Sequence, residues 1–213
     1  MLPPEAFVSF IQNHDQIGNR AFGERLTALA EPAARRALAA VYLLLPQIPM
    51  IFMGEEWGAE EPFLFFCDFS GDHAEAVRDG RRREFARFPE FADPDSRELI
   101  PDPVAESTFR AAKLDWDKIN HAHLGHYRAL LQTRRRWIAP LLPRIRRGGS
   151  AQVVGGEGVR VVWPAGDRAL ALDVNLSQRE IAFPAAIGRI FWLEGEARDA
   201  LGPWSARWSM TDE

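Results

Sequence analysis

Cysteine is nearly absent: among 213 residues there is one, Cys67. No intramolecular disulfide can form, and a metal site built on thiolates lacks its ligands. A lone thiol fits a reducing compartment. An excess of positive charge is also missing. Lys and Arg number 26 against 30 Asp and Glu, a formal net charge of −4. No overall basic field therefore points to nucleic acid or to an anionic membrane. The opening MLPPEAFVSF has neither a basic n-region nor a long apolar h-region, so it does not read as a secretory leader. The most apolar stretch, AVYLLLPQIPMIFMG at residues 40–54, is broken by Pro46 and Pro49. It is shorter than the roughly 20 residues that a membrane helix needs. These absences predict a soluble, cytoplasmic protein with no cofactor, no metal and no nucleic-acid or membrane partner.

What is present is ordinary for a globular chain: 46% hydrophobic and 26% charged residues, enough to bury a sizeable core. AFVSFIQ (residues 6–12) is apolar on both faces, as in a strand of a parallel sheet covered on two sides. EPAARRALAAVYLLLP (31–46) reads as a helix, with Pro32 in its first turn and Pro46 ending it. Ala34, Leu38, Val41 and Leu45 form its apolar stripe. IPMIFMG (48–54) is a second buried strand. Strand, helix, strand make a βαβ unit, and chemistry on such sheets gathers at the carboxyl ends of the strands. Polar residues come after both strands: Asn13, His14, Asp15 and Gln16 after the first, Glu55 and Glu56 after the second.

Residues 60–118 read as irregular, with five scattered prolines, many charges and many phenylalanines. Residues 121–139 form a second helix, stopped by Pro140 and Pro143. From about residue 150 the chain turns to short β-branched and aromatic runs separated by Gly, Pro, Asp and Asn, the pattern of a small antiparallel sandwich. RIRRGGS (144–150) marks the boundary.

Each polar cluster has a functional and a bland reading. Asp15 at a strand end can stabilise a developing positive charge or grip sugar hydroxyls; alternatively Asn13 to Asp15 is a turn. Glu55 and Glu56 are adjacent and cannot form a facing acid–base pair on extended chain. One is expected to face solvent and one to pair with an arginine. His121, His123 and His126 lack the i, i+4 pair of a helical zinc site and read as surface histidines. The basic runs at 81–83 and 134–136 read as solvated faces or salt-bridge partners. PFLFF (62–66) and Trp57 read as core, with one or two rings free to stack on sugars.

Two segments together carry a resemblance. FVSFIQNHDQIGNRAFGERL resembles the seventh-strand region of the α-amylase family of glycoside hydrolases, and PQIPMIFMGEEWG resembles the eighth. QNHDQIGNRAFGERL with FMGEEWGAEEPFLFFCDFSGD is closest to the branch of that family that releases trehalose from capped malto-oligosaccharides. The resemblance implies an α/β plus all-β fold. Residues 1–145 would be a partial (β/α)8 barrel, its last two βα units with the closing helix, and 150–213 a C-terminal β-sandwich domain. It implies a retaining glycosidase in which Asp15 is the carboxylate that stabilises the cation-like sugar. His14, Gln16, Asn13 and Glu56 would contact substrate, a malto-oligosaccharide or trehalose-capped oligosaccharide. Arg20 belongs to the same motif without a firm role.

No segment matches the family's nucleophilic aspartate or acid glutamate, which lie on earlier strands. A full barrel takes about 250 residues, and retaining hydrolysis needs two carboxylates about 5 Å apart. The expectation is therefore the C-terminal part of such an enzyme, inactive alone and given to self-association or to pairing with a complementary barrel fragment. The alternatives are a non-catalytic carbohydrate-binding or interaction fragment, and another specificity of the family such as branching or amylase activity.

Overall fold

A computed structural model describes residues 2–198 and 200–211. The chain divides into two compact units. One comprises Met1–Ile11, Ala30–Ile51 and His121–Glu213; the other comprises Gln12–Leu29 and Phe52–Asn120.

In the first unit, β1 (Val8–Ser9) pairs in parallel with β2 (Ile48–Pro49), Val8 opposite Ile48. Both strands are shorter than the apolar runs around them. Helix α3 (Pro32–Leu44) connects them and starts on Pro32, whose missing N–H costs nothing at that position. Its buried face differs in phase from the expected stripe. Ala34, Ala37, Ala40, Leu43 and Leu44 are buried, whereas Leu38, Val41 and Leu45 are not the center of that face; Val41 and Leu45 pack at its margin. Small alanines let other elements come close to the helix backbone, and Trp208 does so, donating its indole N–H to the Ala40 carbonyl at 2.9 Å.

Helix α7 (His121–Thr133) continues through a π-turn at Arg134–Ile138. Arg134 is not a solvated charge, as its basic run implied. It donates to the carbonyls of Leu43 (3.0 Å), Leu45 and Gln47 (2.6 Å), satisfying the open C-terminal end of α3. His126 is likewise buried and not on the surface.

The predicted β region is a five-stranded antiparallel sheet of β3 (Ser150–Val154), β4 (Gly158–Ala165), β5 (Arg168–Asn175), β7 (Arg189–Glu194) and β9 (Ser205–Met210), in the order β3-β4-β5-β9-β7. A two-stranded accessory sheet pairs β6 (Ile181–Ala182) with β8 (Ala200–Leu201). Alternate residues Leu170, Leu172 and Val174, with Ala206, Trp208 and Met210 beside them, share one core with residues of α3 and α7. The sequence boundary at 144–150 thus marks a change of texture, while these helices and the sheet share a core. The opposite face carries a cross-strand row, Arg160, Asp173 and Arg207. Both arginines bond the fully buried Asp173, and both also donate to the Pro184 carbonyl.

The second unit holds α1 (His14–Gly18), α2 (Leu26–Leu29), α4 (Gly71–Phe85), α5 (Pro94–Glu98) and α6 (Glu106–Ala111), with 3-10 turns at Glu55–Trp57, Pro89–Phe91 and Trp116–Lys118. Residues 60–118 are therefore partly helical, contrary to the irregular reading. Helix α4 gives no periodic signal because its sequence, GDHAEAVRDGRRREF, has no apolar stripe. Its buried face is made in part by Arg81, which lies over the rings of Phe65 and Phe85 and donates to the carbonyls of Gly18 and Arg20, both at 2.8 Å. Ala21, Phe85, Phe91 and Ile100 form a local core.

Candidate functional site at the strand ends

Both polar clusters fall in the second unit, a few residues along the chain from β1 and β2. Asn13 begins α1: its backbone is extended and its side-chain oxygen accepts the Gln16 N–H at 2.9 Å. The cap satisfies one of the open N–H groups of the turn and fixes the backbone of the next three residues. His14, Asp15 and Gln16 are consequently displayed, not packed. The His14 and Asp15 side chains are 69% and 72% exposed, with His14 Nε2 3.4 Å from Asp15 Oδ1. An imidazole N–H beside a carboxylate offers a donor and an acceptor to neighbouring hydroxyls. A turn and a site are compatible here, because the turn is what presents the side chains. Arg20 pairs with Glu24 at 3.1 Å, four residues on.

Glu55, Glu56 and Trp57 form a 3-10 turn, so the extended geometry expected for the two glutamates does not occur. Gly54 precedes it at φ +85°, and a Cβ there would lie 2.7 Å from both the Ala59 and the Leu114 side chains. Glu55 and Trp57 are buried, and Glu56 is partly so.

Arg25 joins the two clusters, and the sequence motifs assign it no role. It is 1% exposed, donates from Nε to the Glu61 carbonyl at 2.6 Å and from Nη1 to the Met53 carbonyl at 2.8 Å, and lies over the Phe52 ring. Burial lowers its pKa from the ordinary arginine value; the charges of Glu61, Glu55 and Glu56 act the other way. One signal is available in the sequence: residues 48–70 contain four glutamates and no Lys or Arg, so their counter-charge has to come from elsewhere. Further ties run in parallel. Phe63 N–H donates to the Gly23 carbonyl at 2.9 Å, Thr27 Oγ1 to the Ala59 carbonyl at 2.8 Å, and Leu26 N–H to Gln12 Oε1 at 3.2 Å.

Three buried polar atoms here, Arg25 Nη2, Glu56 Oε2 and Trp57 Nε1, have no hydrogen-bond partner in the structure. Buried polar groups are normally satisfied. Among the described residues, no group of three His, Cys, Asp or Glu side chains could hold a metal ion. His126 faces Glu194, and His123 lies against the Tyr127 ring. No described helix is long and apolar enough to cross a membrane.

Comparisons with known proteins relate the chain to the α-amylase class of glycoside hydrolases. A Salmonella typhimurium crystal structure, provisionally described as an α-amylase, superposes with a TM-score of 0.90 at 39% identity, covering 99% of this chain and 36% of that one. Within the class, the chain is a relative of proteins named malto-oligosyltrehalose trehalohydrolase. The one from Deinococcus radiodurans is 39% identical over 204 residues, 92% of this chain and 33% of the relative. The one from Saccharolobus solfataricus is 46% identical over 132 residues, 62% of this chain and 21% of the relative. The resemblance read from the two motifs is thereby borne out, and the chain spans about a third of the first of these relatives. Residues 146–208 also match a family described as a domain of unknown function (DUF3459).

Proposed function

We propose that this chain is the C-terminal part of a glycoside hydrolase that releases trehalose by cleaving the α-1,4 bond next to it in malto-oligosyltrehalose, with retention of configuration. In this reading residues 1–145 supply strands seven and eight of a (β/α)8 barrel with its closing helix, and residues 150–213 supply the β domain. Asp15 stabilises the cation-like sugar, His14, Gln16 and Asn13 bind its hydroxyls, and Glu56 contacts substrate or supports those that do. The setting is cytoplasmic, which the single free Cys67 fits. The observation that carries the proposal is the capped turn at Asn13, which displays His14 and Asp15 while Arg25, from the same segment, holds the Glu55–Trp57 turn.

Asp15 has a supporting role here, because a displayed carboxylate can lower the energy of a positive sugar ring without bonding to it. The attacking carboxylate and the acid must then come from chain outside these residues, and the isolated protein is inactive. The test is trehalose release from malto-oligosyltrehalose by the pure chain, alone and mixed with a polypeptide carrying the first six βα units. Activity is expected only in the mixture, and Asp15→Asn should lower it at least ~100-fold, in line with the loss of one preorganised charge-stabilising group. Turnover by the chain alone would refute the assignment of nucleophile and acid elsewhere.

A second reading has its own support. Phe7, Val8 and Phe10 around β1, and Ile48 and Met50 around β2, are exposed apolar residues. A two-stranded parallel pair with bare edges favours association. The same chain would then act as an interaction fragment, pairing with a copy of itself or with the complementary barrel strands.

A further inference from the structure

Trp116 is 65% exposed, although tryptophan is among the most costly side chains to leave in water. It is held in place from two sides. Its 3-10 turn is capped by Asp115, whose side chain accepts the Asp117 N–H at 3.1 Å. Its ring packs on Trp57, 5% exposed, with ring centroids 4.6 Å apart. The residue is thus held against Trp57 and remains largely open to solvent.

That ring lines a cleft of about 240 Å³ with Met53, Phe66, Phe109, Lys113 and Leu114. Drug-sized ligands occupy roughly 300–1,000 Å³, so this cleft suits one small ring. Its chemistry is mixed. The walls are apolar, but Lys113 lies over Phe109, and Lys118 bridges Asp115 (3.2 Å) and Glu61 (3.5 Å) beside Trp116. An aromatic wall with one lining cation, Lys113, and the Asp115–Lys118 pair flanking Trp116 in the chain matches a pyranose, which has an apolar C–H face and hydroxyls around its rim. The cleft also continues the candidate site. Met53 lines it and gives its carbonyl to Arg25; Glu61 pairs with Lys118 and gives its carbonyl to the same guanidinium.

We propose that the Trp116 cleft is a saccharide subsite, in which Trp116 stacks on one hexopyranose unit of an α-linked gluco-oligosaccharide and Lys113 bonds its hydroxyls. The identity of the sugar rests on the function proposed above; the existence of the platform does not. Stacking and the polar rim act together, so neither a linear polyol nor a purely apolar ligand satisfies the site.

The experiment is a titration of the chain, labelled with nitrogen-15 in its tryptophans and histidines, with maltotriose, trehalose and sorbitol. Saturable shifts of the Trp116 and Trp57 indole signals are expected with maltotriose or trehalose and not with sorbitol. Trp116→Ala should weaken binding at least ~10-fold, the loss of one stacking face, and Trp116→Tyr should restore part of it. Both changes are at an exposed position, and circular dichroism checks that the fold is kept. Asp15→Asn should leave the Trp116 response in place. Saccharide shifts at His14 with none at Trp116 would overturn the subsite and leave the proposed function standing. Shifts at Trp116 with none at His14 would support the subsite and count against that function. Equal responses to sorbitol, or no response at all, would overturn the subsite.

Discussion

Arg25 Nη1 donates to the carbonyl oxygen of Met53 at 2.8 Å, joining the segment after β1 to the turn after β2. The same guanidinium bonds the Glu61 carbonyl through Nε at 2.6 Å. One buried cation therefore pins both ends of the loop that carries Glu55, Glu56 and Trp57. Arg25→Met keeps much of the apolar stem but strands two carbonyls and removes the counter-charge of three glutamates. A loss of about 2–4 kcal/mol is expected in denaturant unfolding. Arg25→Lys should recover only part of it, because an ammonium cannot reproduce the fork that reaches two carbonyls in fixed directions. Hydrogen exchange should quicken first in residues 53–61. An Arg25→Met protein as stable as the parent would show that the clamp is ornamental.

Gly23 sits at φ +61°, and a Cβ there would lie 2.7 Å from both the carbonyl carbon and the oxygen of Phe63. The neighbour is backbone, already held by its N–H bond to the Gly23 carbonyl, so it has little room to move aside. Gly23→Ala combines left-handed strain with a clash, and a cost of about 2–4 kcal/mol is expected. Thermal unfolding measures it. A change under about 0.5 kcal/mol, the scatter of ordinary surface substitutions, would mean that the segment adjusts freely.

Part of this is legible in the sequence, and the rest is hidden for physical reasons. Helix α3 and the strands after residue 150 are readable because their apolar residues repeat at helical and strand periods. The Asn13 to Gln16 segment is readable as a cluster, since cap residues and site residues are chemically the same. Arg25 and Arg81 are not readable as buried, nor is Arg134 readable as a half-buried donor to carbonyls. An arginine's burial is decided by carbonyls that only the folded chain brings to it, and no periodicity records that. Helix α4 is hidden for the related reason that its packing leans on Arg81, where a hydrophobic pattern expects an aliphatic residue.

His126 gives a pH dependence. Burial, with the nearby Arg36 charge adding to it, pushes its pKa down from 6.5 to about 4, and a hydrogen bond to the Arg36 backbone only partly opposes this. Glu194 lies 3.5 Å away but is engaged at 2.7 Å by Arg36 Nε, so its charge is spent there and does not hold a proton on the imidazole. The folded state binds this proton more weakly than the unfolded chain. The contribution to stability is full above pH 6.5, falls as pH drops towards 4, and is gone below it. A decline of roughly 1–3 kcal/mol over that window is expected. His126→Gln should flatten that part of the stability–pH curve. An unchanged slope would assign the decline to carboxylates instead.

Asp173 is fully buried between Arg160 and Arg207, bonded to each at 2.9 Å and 2.7 Å by their Nη2 atoms. Asp173→Asn preserves size but leaves two guanidinium groups without their shared anion inside the sheet. Breaking such an arrangement costs about 3–5 kcal/mol. Calorimetry should show the loss, and replacing the whole triad, Arg160→Met, Asp173→Leu and Arg207→Met together, should cost less than Asp173→Asn alone.

The parallel pair of β1 and β2 supplies the last prediction. Val8 and Ile48 lie opposite each other in register and are 55% and 48% exposed. A β-branched pair at matched register is the usual interior of a parallel sheet, which is covered on both faces in almost every fold that contains one. Among the described residues this sheet has only two strands, so the pair keeps the chemistry of an interior while standing at an edge. Sedimentation velocity should therefore show association that rises with concentration. Val8→Lys and Ile48→Lys place charge on that face, a device by which edge strands resist pairing. Together they should shift the chain towards monomer while the antiparallel sheet, built on separate residues, keeps its circular dichroism. If the wild-type chain stays monomeric at every concentration, the self-pairing form of the interaction-fragment reading fails.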